Sequence, residues 1–372
     1  MDATPKCLFL FIIIFTITFL LIPKIRKVAL RLRLTDTPDS RSSHVDITPT
    51  FGGVCFYLSY MCCLALLYFM DKTQLSLTLF ASISILFLTG ILDDVWSLSP
   101  KIKFLGQFIG VSVLMYQPDF RILTLHGLMG IYEIPLAYSV AGSMFFLLAL
   151  INAFNLLDGI DGLTAITGTI VASFYTYMFY QLGAFYYMYI SITTIATLLA
   201  FLRFNFSINL KIFMGDTGSL SIGLVLGLLT LKLMTSGTPG TVALEFDQKQ
   251  LPLLLIAVLF VPILDICRVM LIRLFKGVSM FKPDRNHLHH IIVDYGLSHW
   301  KASSLIGLVN CAIALGMYAV ITHCTPLQST WILLVAFLTS IISLFVMNKN
   351  KSALLLKTKI KRTLVKMFAF TW

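Results

Sequence analysis

The sequence predicts an all-α integral membrane protein that crosses the bilayer many times. Hydrophobic residues make up 58% of the 372 residues and charged residues only 12%, whereas an average soluble domain has about 25% charged residues. The hydrophobic residues also fall into long runs. A helix needs about 20 apolar residues to cross a bilayer core of about 30 Å, and many of these runs approach that length.

Eleven runs are long enough, or nearly so, to cross the bilayer, and because some are short we predict ten or eleven spans. The first run has no small-residue cleavage site and precedes a basic stretch, so we expect a span and not a removable signal peptide. Pro262 lies in the ninth run and is expected to kink it. The spans form one domain over 1–347, followed by a basic tail over 348–372. The runs are 7–22, 51–70, 75–92, 104–118, 138–155, 163–181, 184–202, 217–235, 251–272, 303–322 and 329–347.

The basic residues predict the orientation of the chain in the membrane. Of the 28 Lys and Arg residues, 23 follow the odd-numbered runs. Because cytoplasmic loops carry the excess of Lys and Arg, the N-terminus is expected outside and the C-terminus in the cytoplasm. The net charge of +11 is then explained by topology and anionic lipid headgroups, and no nucleic-acid partner is expected.

Four polar residues lie at the junction of the fifth and sixth runs, within 151–163. They are two amides, Asn152 and Asn155, and two carboxylates, Asp158 and Asp161. Polar groups at the end of an apolar helix are costly unless they meet water or a partner. The junction therefore predicts a polar pocket at the membrane surface, and an ordinary hydrophilic turn is the alternative.

Asp93 and Asp94 close the third run, and Lys101 and Lys103 follow after a short turn. Two carboxylates about 4 Å apart repel by about 4 kcal/mol at an effective dielectric constant of about 20. Such a pair is expected where a cation or a proton relieves the repulsion. A helix cap followed by juxtamembrane lysines is the alternative interpretation.

Two glycine-containing segments begin the second and eighth runs. In 211–219, Gly215 precedes Asp216, and the helix start beyond them offers free N–H groups suited to phosphate. The spacing is not that of a P-loop. In 48–53, which includes Thr50, the glycines permit close helix contact or the approach of a ligand, although this stretch is also explained as the simple start of a span.

A histidine-rich segment, 283–290, lies in a basic loop after the ninth run. A zinc site would require a fourth ligand that the sequence does not reveal. Histidines beside Arg285 suit anion contact and proton transfer better, and a solvated loop is the alternative. The histidines are His287, His289 and His290.

All of these motifs fall on the predicted cytoplasmic side. Their clustered carboxylates need charge compensation, and oxygen ligands select a hard cation, either Mg²⁺ or Mn²⁺. Lysines and Mg²⁺ in one site are what a diphosphate substrate requires. The carboxylates are Asp93, Asp94, Asp158, Asp161 and Asp216.

These blocks, in this order over roughly 30–300, resemble the polyprenyl-phosphate N-acetylhexosamine-1-phosphate transferases. The spacing His-Leu-His-His over 287–290 is similar to the branch that starts O-antigen, enterobacterial common antigen and teichoic acid synthesis (the WecA and TagO types). The peptidoglycan branch (MraY) has three consecutive histidines instead. The resemblance implies ten or eleven spans and an active site in cytoplasmic loops.

The resemblance also implies roles for individual residues. Asp216 matches the principal Mg²⁺ ligand and Asn155 a second ligand. Asp161 and Phe213 match the residues that read and stack the uracil. Further catalytic candidates are Asp93, Asp94, Asp158, His287, His289 and His290, and further substrate-binding candidates are Lys101, Lys103, Asn152, Gly215, Arg285 and Thr50.

The implied reaction is transfer of a sugar 1-phosphate, N-acetylglucosamine 1-phosphate in the first place, from a UDP-sugar to undecaprenyl phosphate. UMP is released, and the lipid product starts a cell-surface polysaccharide at the bacterial cytoplasmic membrane. A transferase of the peptidoglycan branch is one alternative. A transporter is another, for which Asp265 inside the ninth run would be the mark, and a scaffold that has lost activity is a third. The oligomeric state, including a homodimer, stays open.

Overall fold

The computed structural model describes residues 3–36, 48–71, 73–236, 246–277 and 287–369, with the backbone alone for 351–369. Within these ranges the chain forms thirteen α-helices and one small antiparallel sheet, in which β1 (Thr35–Asp36) pairs with β2 (Thr48–Pro49). The helices are α1 (Ala3–Arg31), α2 (Gly53–Asp71), α3 (Gln74–Trp96), α4 (Pro100–Leu114), α5 (Leu136–Leu157), α6 (Leu163–Gln181), α7 (Phe185–Asn205), α8 (Gly215–Ser236), α9 (Leu251–Val258), α10 (Phe260–Phe275), α11 (Leu288–Asp294), α12 (His299–His323) and α13 (Pro326–Ala369).

Each of the eleven predicted runs coincides with one helix, except that the ninth is divided between α9 and α10. Among the described residues, eight helices are long and apolar enough to cross a membrane, and there are nine if the bent pair α9–α10 counts as one span. The helices outside this set are α4, with 15 residues, α6, and the short α11. The protein is therefore a polytopic α-helical membrane protein. The backbone of 348–369 continues the last helix without interruption.

Helix α8 lies at the centre of the bundle and is almost entirely buried. Two neighbouring helices approach its first turn so closely that only glycine fits between the backbones. A Cβ atom on Gly53 in α2 would overlap the backbone of Gly218, and one on Gly90 in α3 would overlap Thr217. Small residues allow this kind of close packing between membrane helices, and here they fix the position of the start of α8.

The ninth span is broken, as predicted, with an angle of 72° between α9 and α10. Pro262 lacks an N–H group and blocks the carbonyl four residues earlier, which is that of Val258. The side chain of Asn310, in α12, repairs the gap: its Nδ2 donates to Val258 O at 3.0 Å, and its Oδ1 accepts from Val261 N at 2.9 Å. A broken helix persists in a membrane only when its freed backbone groups find such partners.

Substitution of Asn310 by Leu should lower the melting temperature of the protein in detergent. The change leaves one buried N–H and one buried C=O without a hydrogen-bond partner, and each unsatisfied group costs about 1–3 kcal/mol of stability. Thr322→Val, which removes an exposed hydroxyl bonded within α12, is the control and should shift the melting temperature far less. Equal melting temperatures for Asn310→Leu and the wild type would show that the break does not depend on this side chain.

Candidate active site

Four helix ends meet at one point of the bundle, and a single lysine joins them. Lys103, in the first turn of α4, places Nζ 2.9 Å from Oδ2 of Asp93 at the end of α3 and 2.8 Å from Oδ2 of Asp216 at the start of α8. The same Nζ donates to Oδ1 of Asn155, in the last turn of α5, at 3.1 Å. Three oxygen atoms from distant parts of the sequence thus converge on one ammonium group.

Asp94 faces the start of α8 rather than Lys103. Its Oδ1 accepts from Asp216 N at 2.8 Å, and its Oδ2 accepts from Thr217 N at 3.1 Å and from the Thr217 hydroxyl at 2.5 Å. Gly215 has φ +69°, and a Cβ atom there would lie 2.7 Å from Asp94 Oδ2. A carboxylate at a helix N-terminus is stabilised by the unpaired N–H groups and the helix dipole, so Asp94 holds the end of α8 that carries Asp216.

The two amides of α5 have different partners. Asn155 donates from Nδ2 to Asp216 Oδ1 and, at 2.9 Å, to the Ser219 hydroxyl. Asn152 exchanges two hydrogen bonds with Gln107 of α4. Asn152 Nδ2 donates to Gln107 Oε1 at 2.8 Å, and Gln107 Nε2 donates to Asn152 Oδ1 at 3.4 Å. Asn155 therefore belongs to the acidic cluster, whereas Asn152 joins α5 to α4 one turn away. Gln107 was not among the sequence candidates.

Asp158 lies in the turn between α5 and α6. Burial, together with the neighbouring carboxylates of Asp216, Asp94 and Asp161, raises its pKa well above the usual value. Near neutral pH this part of the site carries more negative than positive charge, because the ammonium of Lys103 is shared between two carboxylates. The imbalance favours a bound cation.

A second cluster forms around Asp161, in the same turn. Lys211, in the α7–α8 loop, places Nζ 2.7 Å from Asp161 Oδ2, and His299 at the start of α12 places Nδ1 3.0 Å from the same oxygen. Burial raises the pKa of Asp161, but the hydrogen bonds from His299 and Lys211 outweigh it, so the net shift is downward. Lys211 Nζ also lies 5.2 Å from the ring centre of Phe213, so Asp161 and Phe213 share a neighbour.

Thr50 lies beside this second cluster and outside the acidic one. Its backbone N–H and hydroxyl point to Leu34 O, at 3.3 and 3.5 Å. The next residues pair with the α7–α8 loop: Phe213 N donates to Pro49 O and Gly52 N donates to Phe213 O, both at 2.9 Å. The 48–53 segment thus supports the backbone of Phe213.

Asp265 anchors the start of the histidine segment. His287 Nδ1 lies 2.9 Å from Asp265 Oδ2, and Leu288 N donates to Oδ1 at 2.7 Å. The carboxylate that would mark a transporter therefore has a structural partner. His289 is buried against Gly159, where a Cβ atom would overlap its ring. Burial, followed by the charge of His290, lowers the pKa of His289 to about 3.

Lys101 and Arg285 are the remaining sequence candidates. Lys101 is exposed on α4, two residues before Lys103, and Arg285 lies outside the described residues. Within the described part of the chain, no three His, Cys, Asp or Glu side chains are grouped as metal ligands. The oxygen atoms of Asp93, Asp216 and Asn155 instead converge on Lys103 Nζ.

The fold and these two clusters define a polytopic membrane protein whose acidic and basic side chains meet where the ends of several helices converge. The sequence profile described as glycosyl transferase family 4 matches residues 76–234. The undecaprenyl-phosphate alpha-N-acetylglucosaminyl 1-phosphate transferase of Yersinia pestis is 30% identical over 336 residues, which cover 88% of this chain and 87% of that protein. The transferase of the same description from Escherichia coli strain K12 is 30% identical over 335 residues, or 88% and 86% of the two chains. The chain therefore belongs to glycosyl transferase family 4, and the resemblance inferred from its motifs is confirmed.

Replacement of Asp158 by Asn should raise the melting temperature at neutral pH in buffer containing a metal chelator. Because the pKa of the folded carboxyl is raised, ionisation costs the wild type stability as the pH rises above about 4. The neutral amide avoids this cost, so the gain should be largest at pH 7–8 and vanish near pH 4, as followed by thermal unfolding in detergent. Glu133→Gln, at an exposed position, is the control. A gain independent of pH would contradict the assignment.

Proposed function

We propose that this chain transfers N-acetylglucosamine 1-phosphate from its UDP-sugar to undecaprenyl phosphate, releasing UMP and forming a lipid diphosphate sugar. The relatives in Yersinia pestis and Escherichia coli carry this transferase activity in their names. The structural observation that supports the proposal is the convergence of Asp93, Asp216 and Asn155 on Lys103. Phosphoryl transfer depends mainly on positioning of the substrates and on stabilisation of charge. The lysine of this cluster can stabilise negative charge, and its carboxylates and amide can position a cation or a substrate.

Mg²⁺ is the cation that we propose for the acidic cluster, with Mn²⁺ as a chemically similar substitute. Asp216 would supply a carboxylate oxygen and Asn155 an amide oxygen. Protein sites usually hold Mg²⁺ through only one or two carboxylates, and substrate phosphates supply further ligands. When bound, the ion would act as a Lewis acid on the diphosphate.

Lys103 and the two carboxylates of α3 are proposed to lower the barrier to the approach of the two phosphate groups. A phosphate monoester has its second pKa near about 6, so the lipid phosphate is largely a dianion at pH 7. A general base would then add little, and the larger barrier is the approach of a dianion to a diphosphate. Lys103 reduces that repulsion. Asp93 orients Lys103 and also accepts from Leu98 N at 2.7 Å. Asp94 orients the start of α8, which carries Asp216.

His289 is proposed to contact the donor or the acceptor phosphate. Both of its ring nitrogens are buried and lack a hydrogen-bond partner among the described residues. Buried polar atoms usually have partners, so such a pair of nitrogens indicates a place for a ligand. With its pKa lowered to about 3, the ring is neutral at pH 7 and offers one donor and one acceptor.

The site is proposed to face the cytoplasm, in a protein of ten or eleven spans with its N-terminus outside. The asymmetry of Lys and Arg supports this orientation, and the UDP-sugar donor is a cytoplasmic metabolite in this scheme. The membrane would be the bacterial cytoplasmic membrane, where the acceptor's phosphate can lie at the headgroup level while its chain stays in the lipid.

Release of UMP tests the proposal directly. Membranes that contain the protein are incubated with Mg²⁺, undecaprenyl phosphate and one UDP-sugar at a time, including UDP-N-acetylglucosamine and the UDP-linked muramyl pentapeptide. We expect UMP with the first substrate and none with the second. No UMP with any sugar would overturn the proposal, and UMP with the pentapeptide alone would assign the chain to the peptidoglycan reaction.

The two carboxylates held by Lys103 should respond differently to neutralisation. Asp216→Asn should abolish Mg²⁺-dependent turnover almost completely, because it removes the proposed principal ligand. Asp93→Asn should lower turnover but leave UDP binding largely intact, because Asp93 orients Lys103 and is not a proposed ligand of Mg²⁺ or of the uracil. Turnover is followed by UMP release and binding by calorimetry with UDP. The same loss of UDP affinity in both variants would contradict this division.

A further inference from the structure

Arg26 lies near the end of α1 and reaches a loop far along the chain. Its Nε donates to Lys211 O and its Nη2 donates to Asn209 O, each at 3.1 Å. Both carbonyls belong to the α7–α8 loop, which also carries Phe213. Planar guanidinium groups are well suited to gripping two acceptors at once. Arg26 therefore fixes the backbone of this loop from one side.

His299, at the start of α12, helps to fix Asp161, to which Lys211 also binds. Its Nδ1 lies 3.0 Å from Asp161 Oδ2. One turn later in α12, the Ser303 hydroxyl donates to the backbone oxygen of Asp161 at 2.6 Å. The start of α12 therefore holds both the side chain and the backbone of Asp161.

Lys211 connects the two ends of this network. Its backbone oxygen is held by Arg26, its Nζ binds Asp161 Oδ2 at 2.7 Å, and the same Nζ lies over the ring of Phe213. The chain of contacts from Arg26 through Lys211 and Asp161 to His299 thus joins α1, the α7–α8 loop, the α5–α6 turn and α12. Four separate segments are tied together around one carboxylate and one aromatic ring.

We propose that Arg26 and His299 are positioning residues that hold Asp161 and Phe213 ready for the uracil of the donor. This inference rests on the proposed function, together with the family resemblance, which implies that these two residues bind the uracil. A carboxylate accepts from the N3–H of uracil but repels N3 of cytosine, which has no hydrogen. Preorganisation of the carboxylate therefore governs both donor affinity and the choice between the two pyrimidines.

Steady-state kinetics of the purified full-length protein test the proposal. Arg26→Gln and His299→Ala should each raise the KM for UDP-N-acetylglucosamine about 5- to 10-fold, the size expected for loss of one or two hydrogen bonds. The kcat and the KM for undecaprenyl phosphate should stay near the wild-type values. His299→Asn, whose amide can replace the Nδ1–H donor, should restore most of the donor affinity.

Base selectivity provides a readout that general loosening of the fold would not give. UDP and CDP are compared as competitive inhibitors, and the wild type should prefer UDP. His299→Ala should reduce this preference by weakening UDP while leaving CDP little changed. If the alanine variant does not fold, Arg26→Gln carries the same comparison and should also reduce the preference for UDP.

Two substitutions on the same helices serve as matched controls. Arg31→Gln on α1 and His323→Gln on α12 change exposed side chains away from the network and should leave both KM values unchanged. If the wild-type protein releases no UMP from any UDP-sugar, the proposed function itself is contradicted. An active wild type together with Arg26 and His299 variants of unchanged donor KM and unchanged UDP preference would overturn this inference alone.

Discussion

The convergence of three oxygen atoms on Lys103 is the interaction on which the rest of the structure depends. An unpaired charge in a poorly hydrated site is expensive, and removal of one partner leaves the other uncompensated. Lys103 therefore holds Asp93 and Asp216 together with Asn155, and with them the ends of α3, α5 and α8. The positions of these helix ends are set by electrostatics as much as by packing of their apolar faces.

The turn between α5 and α6 joins the two clusters of the site. Asn155, before the turn, faces Lys103 and Asp216, whereas Asp161, at its end, faces Lys211 and His299. Because only a few residues separate them, a shift of one cluster must move the other. This short connection would let the proposed uracil-binding and phosphate-transfer residues act on one substrate, although their helices are far apart in sequence.

Hydropathy was sufficient to predict the apolar helices, because a bilayer favours long apolar runs, and Pro262 predicted the bend between α9 and α10. The polar residues at span ends were also predictable, since apolar helices rarely carry them without reason. The partners of these polar residues could not be predicted. Arg26 and His299 are ordinary basic residues in the sequence, and only the fold brings them to Lys211 and Asp161. Asp265 marks the transporter alternative because it lies inside an apolar run, whereas only the fold brings His287 and the backbone N–H of Leu288 to its carboxylate. The small sheet, with two residues per strand, leaves no periodic pattern.

Asp93 and Asp94 illustrate how neighbouring carboxylates can do different work. The sequence predicts a repulsive pair that one cation or proton relieves. In the structure each carboxylate has its own partner: Asp94 is bound by the N–H groups at the start of α8, and Asp93 by Lys103 and Leu98 N. These separate partners reduce the repulsion between the two carboxylates. The single ammonium of Lys103 still faces the carboxylates of both Asp93 and Asp216, so the proposed Mg²⁺ would supply further positive charge where the ends of α3, α5 and α8 meet.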